Sequence, residues 1–151
     1  MNQDSTSSFI ENILVIVSNL PSEFRNTIIK KRLSEFNNFD QLEKKEVIKD
    51  ILNNYNKIDK AKVLNLFESW INSLAEMDNS SINAIFNAYL LELYTNPQIL
   101  DGLDESFILS LYSLFNSMDN NKKDKLWNCF MESISSTPNP ERFTKLISIL
   151  K

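Results

Sequence analysis

Residues 79–94 read NSSINAIFNAYLLELY, and this stretch decides the fold class. Ile82, Ile85, Phe86, Tyr89, Leu90 and Leu93 recur at the i, i+3, i+4, i+7 spacing of one helical face. Ala84, Ala88 and Leu91 add a thinner stripe beside it, and Glu92 is the only charge. A helix that is apolar on more than one side is covered by neighbours on more than one side. The small Ala84 and Ala88 let such a neighbour come close. The stretch therefore predicts a core helix in the middle of an all-α fold. The competing reading is a ligand-lining helix, with Tyr89 and Tyr94 as its polar handles.

Outward from this helix one device recurs. An apolar residue precedes an aspartate, and a new amphipathic segment begins: Phe39-Asp40, Ile58-Asp59, Met77-Asp78, Leu103-Asp104 and Met118-Asp119. An N-cap aspartate accepts hydrogen bonds from the free N–H groups of the first turn and meets the positive end of the helix dipole. The preceding apolar residue can staple to position N4, which Val63, Ile82 and Ile108 occupy in three cases. Asp40 has Glu43 at capping-box spacing. The caps fall 19, 19, 26 and 15 residues apart, the rhythm of short helices joined by short links, so sequential neighbours are predicted to be antiparallel.

The remaining segments follow the helical period. Ser7 or Ser8 caps a first helix over 9–19, and Pro21 opens a second whose buried side is read as Phe24, Ile28, Leu33 and Phe36. Val47, Ile48, Ile51, Leu52 and Tyr55 form the next face, followed by Val63, Leu64, Phe67, Trp70, Ile71 and Leu74. Beyond the central helix come Phe107, Ile108, Leu111, Tyr112, Phe115 and Met118, then Leu126, Trp127, Phe130, Met131 and Ile134. Pro138 and Pro140 break the chain before a short last helix carrying Phe143, Leu146, Ile147 and Leu150. Asn96-Pro97 ends the central helix, and Gly102 marks an irregular link behind it. The expected architecture is a compact bundle of seven to eight mostly antiparallel helices, with residues 1–6 flexible and 7–151 a single domain. The alternative is a short HEAT-like αα-solenoid stack, suggested by the weak likeness of Leu64-Asn65-Leu66-Phe67 to Trp127-Asn128-Cys129-Phe130.

Composition narrows the chemistry. The chain has 151 residues, one glycine, one cysteine and no histidine. With one glycine it holds neither a P-loop nor a dinucleotide fingerprint. Without histidine it lacks the commonest general base and metal ligand. Cys129 sits among Leu126, Trp127 and Phe130 and reads as a buried thiol rather than a nucleophile. Residues 119–130 begin like a calcium loop at Asp119 and Asn121, but place Asp124 at the glycine position and Phe130 where the bidentate glutamate belongs. No metal, no cofactor and no catalytic residues are assigned. The longest apolar run, 13–17, is far too short to span a bilayer, and the amino-terminal residues lack the positive region of a signal peptide. A cytoplasmic location is expected.

Charge is unevenly distributed. Residues 63–121 carry eight acidic side chains and no Lys or Arg, within a chain of net charge −4. In one reading these acids are helix caps around core helices. In the other they form an acidic surface that steers a basic protein partner. The helix after Asp104 is uncharged from Ser106 to Met118, with Ser106, Ser110, Ser113, Asn116 and Ser117 read as its outer side. Another helix, another copy of this chain or a ligand would cover that face. The resulting expectation is a non-catalytic interaction module or small complex subunit that binds through Asp101, Asp104, Glu105, Ser110 and Ser113. The alternative is a subunit of a nucleoprotein complex touching nucleic acid through Lys30, Lys31, Arg32, Lys122 and Lys123. A pI near 4.9 restricts that alternative to a larger complex.

Overall fold

The computed structural model describes residues 12–150, apart from the side chains of residues 145, 149 and 150. The flexible segment over 1–6 and the caps Ser7 and Ser8 lie outside the described residues. Among the described residues every regular element is helical, and the fold is an all-α helical bundle. The elements are α1 (12–18 as described), α2 (Ser22–Phe36), α3 (Gln41–Asn54), α4 (Lys60–Ala75), α5 (Asn79–Thr95), α6 (Pro97–Asp101), α7 (Glu105–Asn116), α8 (Asn120–Ser135) and α9 (Thr144–Leu150). Short 3₁₀ turns follow α3 (Tyr55–Lys57) and precede α9 (Pro140–Phe143). The chain forms two compact units, divided between Ser73 and Leu74 near the end of α4.

Four of the five expected aspartate caps form through their side chains. Asp40 Oδ1 accepts from Glu43 N at 2.8 Å, Asp78 Oδ1 from Ser81 N at 2.7 Å, Asp104 Oδ2 from Phe107 N at 3.2 Å and Asp119 Oδ1 from Asn121 N at 2.8 Å. Asp59 immediately precedes α4, and its backbone carbonyl accepts from Lys62 N and Val63 N, both at 3.0 Å. The Asp40–Glu43 pair also shares a side-chain hydrogen bond, which pushes the Glu43 carboxyl up, while the N–H of Glu43 pulls Asp40 down.

In the amino-terminal unit the buried apolar residues are Val17, Leu33, Phe36, Ile48, Ile58 and Ile71. Here α2 departs from its expected face. Phe24 is 62 % exposed, whereas Arg25 is only 8 % exposed. Phe24 lies nine residues before Leu33, which places it roughly 180° around the helix from that core residue at ~100° per residue. Arg25 lies close to the Ile29, Leu33 and Phe36 row instead. Its Nε donates to Ser69 Oγ on α4 at 2.9 Å, and its Nη1 to the Leu20 carbonyl at 3.0 Å. Two directed hydrogen bonds hold a cation inside while the neighbouring ring stays in solvent. The ring of Phe36 packs edge-on against Phe39 at 6.1 Å, and the Lys44 ammonium sits 5.8 Å from its centroid.

In the carboxy-terminal unit α5 packs chiefly on α8. Leu90, Ile134 and Phe143 form a buried cluster, flanked by Leu93, Tyr94, Leu100, Phe130, Met131, Leu146 and Ile147. Each fully buried side chain of this size contributes ~1.5–3 kcal/mol relative to exposure. A run of rings ties three helices together: Phe86 to Phe130 at 5.5 Å, Phe130 to Trp127 at 6.1 Å, Trp127 to Phe115 at 6.3 Å and Phe115 to Tyr112 at 6.1 Å. Along α5, Ile82, Ile85 and Leu90 are buried as the main stripe predicts, and Ala84 and Ala88 are half-buried. The second stripe ends in the open, with Leu91 53 % exposed. Glu92 is buried instead, its Oε1 accepting from Asn96 Nδ2 at 2.8 Å.

The link after Asn96-Pro97 is helical rather than irregular. Pro97 occupies the first position of α6, where its missing N–H costs no bond. Gly102 closes α6 with φ −85°, and a Cβ there would stand 3.1 Å from the Gln98 carbonyl oxygen. Close approach, rather than a left-handed backbone, is what suits glycine to this position.

Candidate partner-binding site

The short α6 and the tight link through Gly102 bring the end of one helix next to the start of another. Asp101 is the last residue of α6 and Glu105 the first of α7. Between them Leu103 turns inward to half-burial, and Asp104 caps α7. The fold adds residues from the far end of the chain. Leu100, Asp101, Leu103, Glu105, Ile108, Arg142 and Leu146 line one shallow cleft of about 40 Å³. Ile108 is buried, Leu100, Leu103 and Leu146 are half-buried, and both carboxylates are exposed. The result is an apolar floor with two acids at its rim.

Arg142 is committed elsewhere. Its Nη1 donates to the Tyr94 carbonyl at 2.9 Å, and its guanidinium stacks 4.4 Å from the Tyr94 ring centroid. Among the described residues Arg142 makes no ion pair with Asp101 or Glu105. Tyr94 thus serves as a platform for Arg142. Tyr89, the other expected polar handle, is half-buried, and burial pushes its phenol up to about 12.

Of the five residues expected to bind a partner, the fold gathers Asp101 and Glu105 into the cleft. Asp104 is exposed beside them, but its carboxylate is engaged as the cap of α7. Ser110 and Ser113 do not line the cleft. Ser110 is half-buried and donates to the Ser106 carbonyl at 3.1 Å, while Ser113 is exposed further along α7. Ser106, Leu109, Ser113, Asn116 and Ser117 are the exposed residues after Glu105, so Leu109, 46 % exposed, takes the outward position assigned to Ser110. Arg142 and Leu146 were not legible as members of the site, because nothing local links them to residues some forty positions earlier.

Of the eight acidic residues in the middle of the chain seven are exposed, three of them also engaged as helix caps. Asp78, Asp104 and Asp119 are helix caps and Glu92 is buried. Glu68, Glu76, Asp101 and Glu105 remain as exposed acids outside these roles. The basic clusters are also partly occupied. Lys125 Nζ donates to the Ala75 carbonyl at 3.1 Å and to that of Met77, meeting the negative carboxy-terminal end of α4. Lys123 Nζ reaches Asn116 Oδ1 at 3.4 Å, and Lys122 is half-buried. Lys30 and Lys31 are exposed on α2, beside the paired Arg32.

Cys129 is buried in α8, and burial pushes its thiol up, which removes thiolate character. Among the described residues no three Cys, Asp or Glu side chains gather as a metal-ion set, and no helix is long and apolar enough to cross a membrane. Metabolite pockets generally enclose ~300–1,000 Å³. The α6–α7 cleft has room for the end of one side chain. The chain matches no family model, no curated protein and no solved structure.

Proposed function

We propose that this chain is a non-catalytic protein-interaction module, or a small subunit of an intracellular complex, that presents the α6–α7 corner and the outer face of α7 to a protein partner in the cytoplasm. The observation that carries this reading is the cleft itself: apolar at its floor, acidic at its rim and sized for a side chain. The exposed Leu109 and the serines beside it extend that surface without adding charge. Rim carboxylates of this kind raise association rate and enforce partner choice, and salt screens them.

The test is affinity capture of the tagged chain from its own host, with and without nuclease, at low and high salt. A D101N/E105Q/L109S variant is run beside it. A stoichiometric protein that survives nuclease, weakens with salt and binds the variant roughly tenfold less tightly supports the module. Recovery that the substitutions leave unchanged, or recovery of nothing, overturns it.

A second reading rests on α2. The exposed Phe24 and Lys31 lie seven residues apart and therefore on one face, with Lys30 adjacent. An open ring for base stacking beside lysines for phosphate is the arrangement of single-strand binders. Nuclease-sensitive recovery that Phe24→Ser abolishes supports this alternative, in which the chain contacts nucleic acid as part of a larger complex through Lys30, Lys31 and Arg32, with Lys122 and Lys123 contributing.

A further inference from the structure

Resting on the interaction-module reading, we propose that the α6–α7 cleft seats one lysine side chain of the partner protein. Three observations define this occupant. The floor of Leu100, Leu103, Ile108 and Leu146 suits the outer methylenes of a lysine, which rest on apolar surface while its head stays polar. The volume of about 40 Å³ is small beside a metabolite pocket and suits the end of one side chain. The rim carries Asp101 on one helix and Glu105 on the next, both exposed.

Among the described residues the cation in the lining, Arg142, does not neutralise those acids by contact. Arg142 spends its directed bond on the Tyr94 carbonyl at 2.9 Å and its face on the Tyr94 ring. Nor is the positive end of α7 left open for an anion, because Asp104 already accepts from Phe107 N at 3.2 Å. Charge complementarity therefore favours a cation. Lysine fits better than arginine for a geometric reason. A compact ammonium with three rotatable donors adapts to either carboxylate, whereas a rigid guanidinium fork demands a fixed bidentate geometry and brings a second guanidinium close to Arg142.

The experiment is a titration of the ¹⁵N-labelled full chain, followed by amide shifts, with a capped Gly-Ser-Lys-Ser-Gly peptide. Matched peptides carry norleucine, arginine or glutamate at the centre. The expected result is a localised shift at residues 100–108 and 146 with the lysine peptide. Binding is roughly tenfold weaker with norleucine, which keeps the stem and loses the charge, and similarly weaker in the E105Q chain. Glu105 is exposed, so the variant keeps its fold, which its unchanged amide spectrum away from the cleft verifies. No localised shift with lysine, arginine binding at least as tightly, or glutamate binding preferentially beside Arg142 each overturns the lysine assignment. The two levels separate cleanly. A captured partner that D101N/E105Q/L109S releases, together with a lysine peptide that does not bind, leaves the module standing and removes this inference. Loss of capture altogether removes the module.

Discussion

In the amino-terminal unit Val15, Ile16, Phe24 and Leu42 stand in solvent, while Ser18, Arg25, Asp50, Asn54, Ser69 and Ser73 are buried. Among the described residues of the carboxy-terminal unit the buried polar ones are Glu92 and Ser133, and the large exposed apolar ones are Leu91 and Leu109. Their charges differ as well: ten basic and ten acidic residues before the division, six and ten after it. Hydrophobic periodicity assumes that apolar residues face inward, and that assumption serves the second unit well. In the first unit, specific hydrogen bonds such as Arg25 to Ser69 decide which side of a helix is buried. Buried polar groups of that kind are costly unless satisfied, so each one constrains the packing around it more sharply than a leucine does.

The contrast is open to direct attack. The largest effect belongs to the apolar core of the carboxy-terminal unit. Phe143 is fully buried against Leu90 and Ile134, so Phe143→Ala is expected to cost ~3–5 kcal/mol in denaturant unfolding. A loss under ~1 kcal/mol would show that the site collapses freely and that this core is not the close-packed one described. Next comes the inversion on α2. Arg25→Ala strands Ser69 and the Leu20 carbonyl and is expected to cost ~1–3 kcal/mol, while Phe24→Ser changes stability by less than ~0.5 kcal/mol. If Phe24→Ser is the more damaging of the two, the inverted face is wrong.

The smallest effect is a difference in pH response. Burial pushes the Asp50 carboxyl up, with Glu46 adding to it and Lys49 opposing. The fold therefore favours protonated Asp50, and its contribution is present at low pH and lost as pH rises through the unfolded and then the folded pKa. Asp78 has the opposite sign. The Ser81 N–H pulls its carboxyl down, so its contribution is present above the unfolded pKa and lost as pH falls through the folded one. Asp50→Asn should therefore stabilise at pH 7 and lose that advantage in acid, whereas Asp78→Asn should be insensitive to acid where the parent chain weakens. Chemical-denaturation midpoints at pH 7 and pH 3 give both slopes; slopes of the same sign would erase this distinction between a buried carboxyl and a capping one.

How much was legible in advance follows the same division. The sequence by itself determined what depends on residues within about four positions of one another. The all-α class came from the 3.6-residue period, and of the five aspartates read as caps four bond through their side chains to their own first turn. The end of α5 at Asn96-Pro97 and the burial of Cys129 were likewise visible locally. Tertiary structure alone decided which flank of α2 turned inward, because that choice rests on Ser69, forty-four residues away. It also placed Glu92 inside, set Lys125 against a carbonyl fifty residues back, and brought Arg142 to Tyr94 across forty-eight. Asp101 and Glu105 were readable as neighbouring acids. The cleft that gives them a floor exists only because Ile108 and Leu146 meet there, and the pairing of α7 with α9 is set by which apolar faces are left to be covered once every helix has formed.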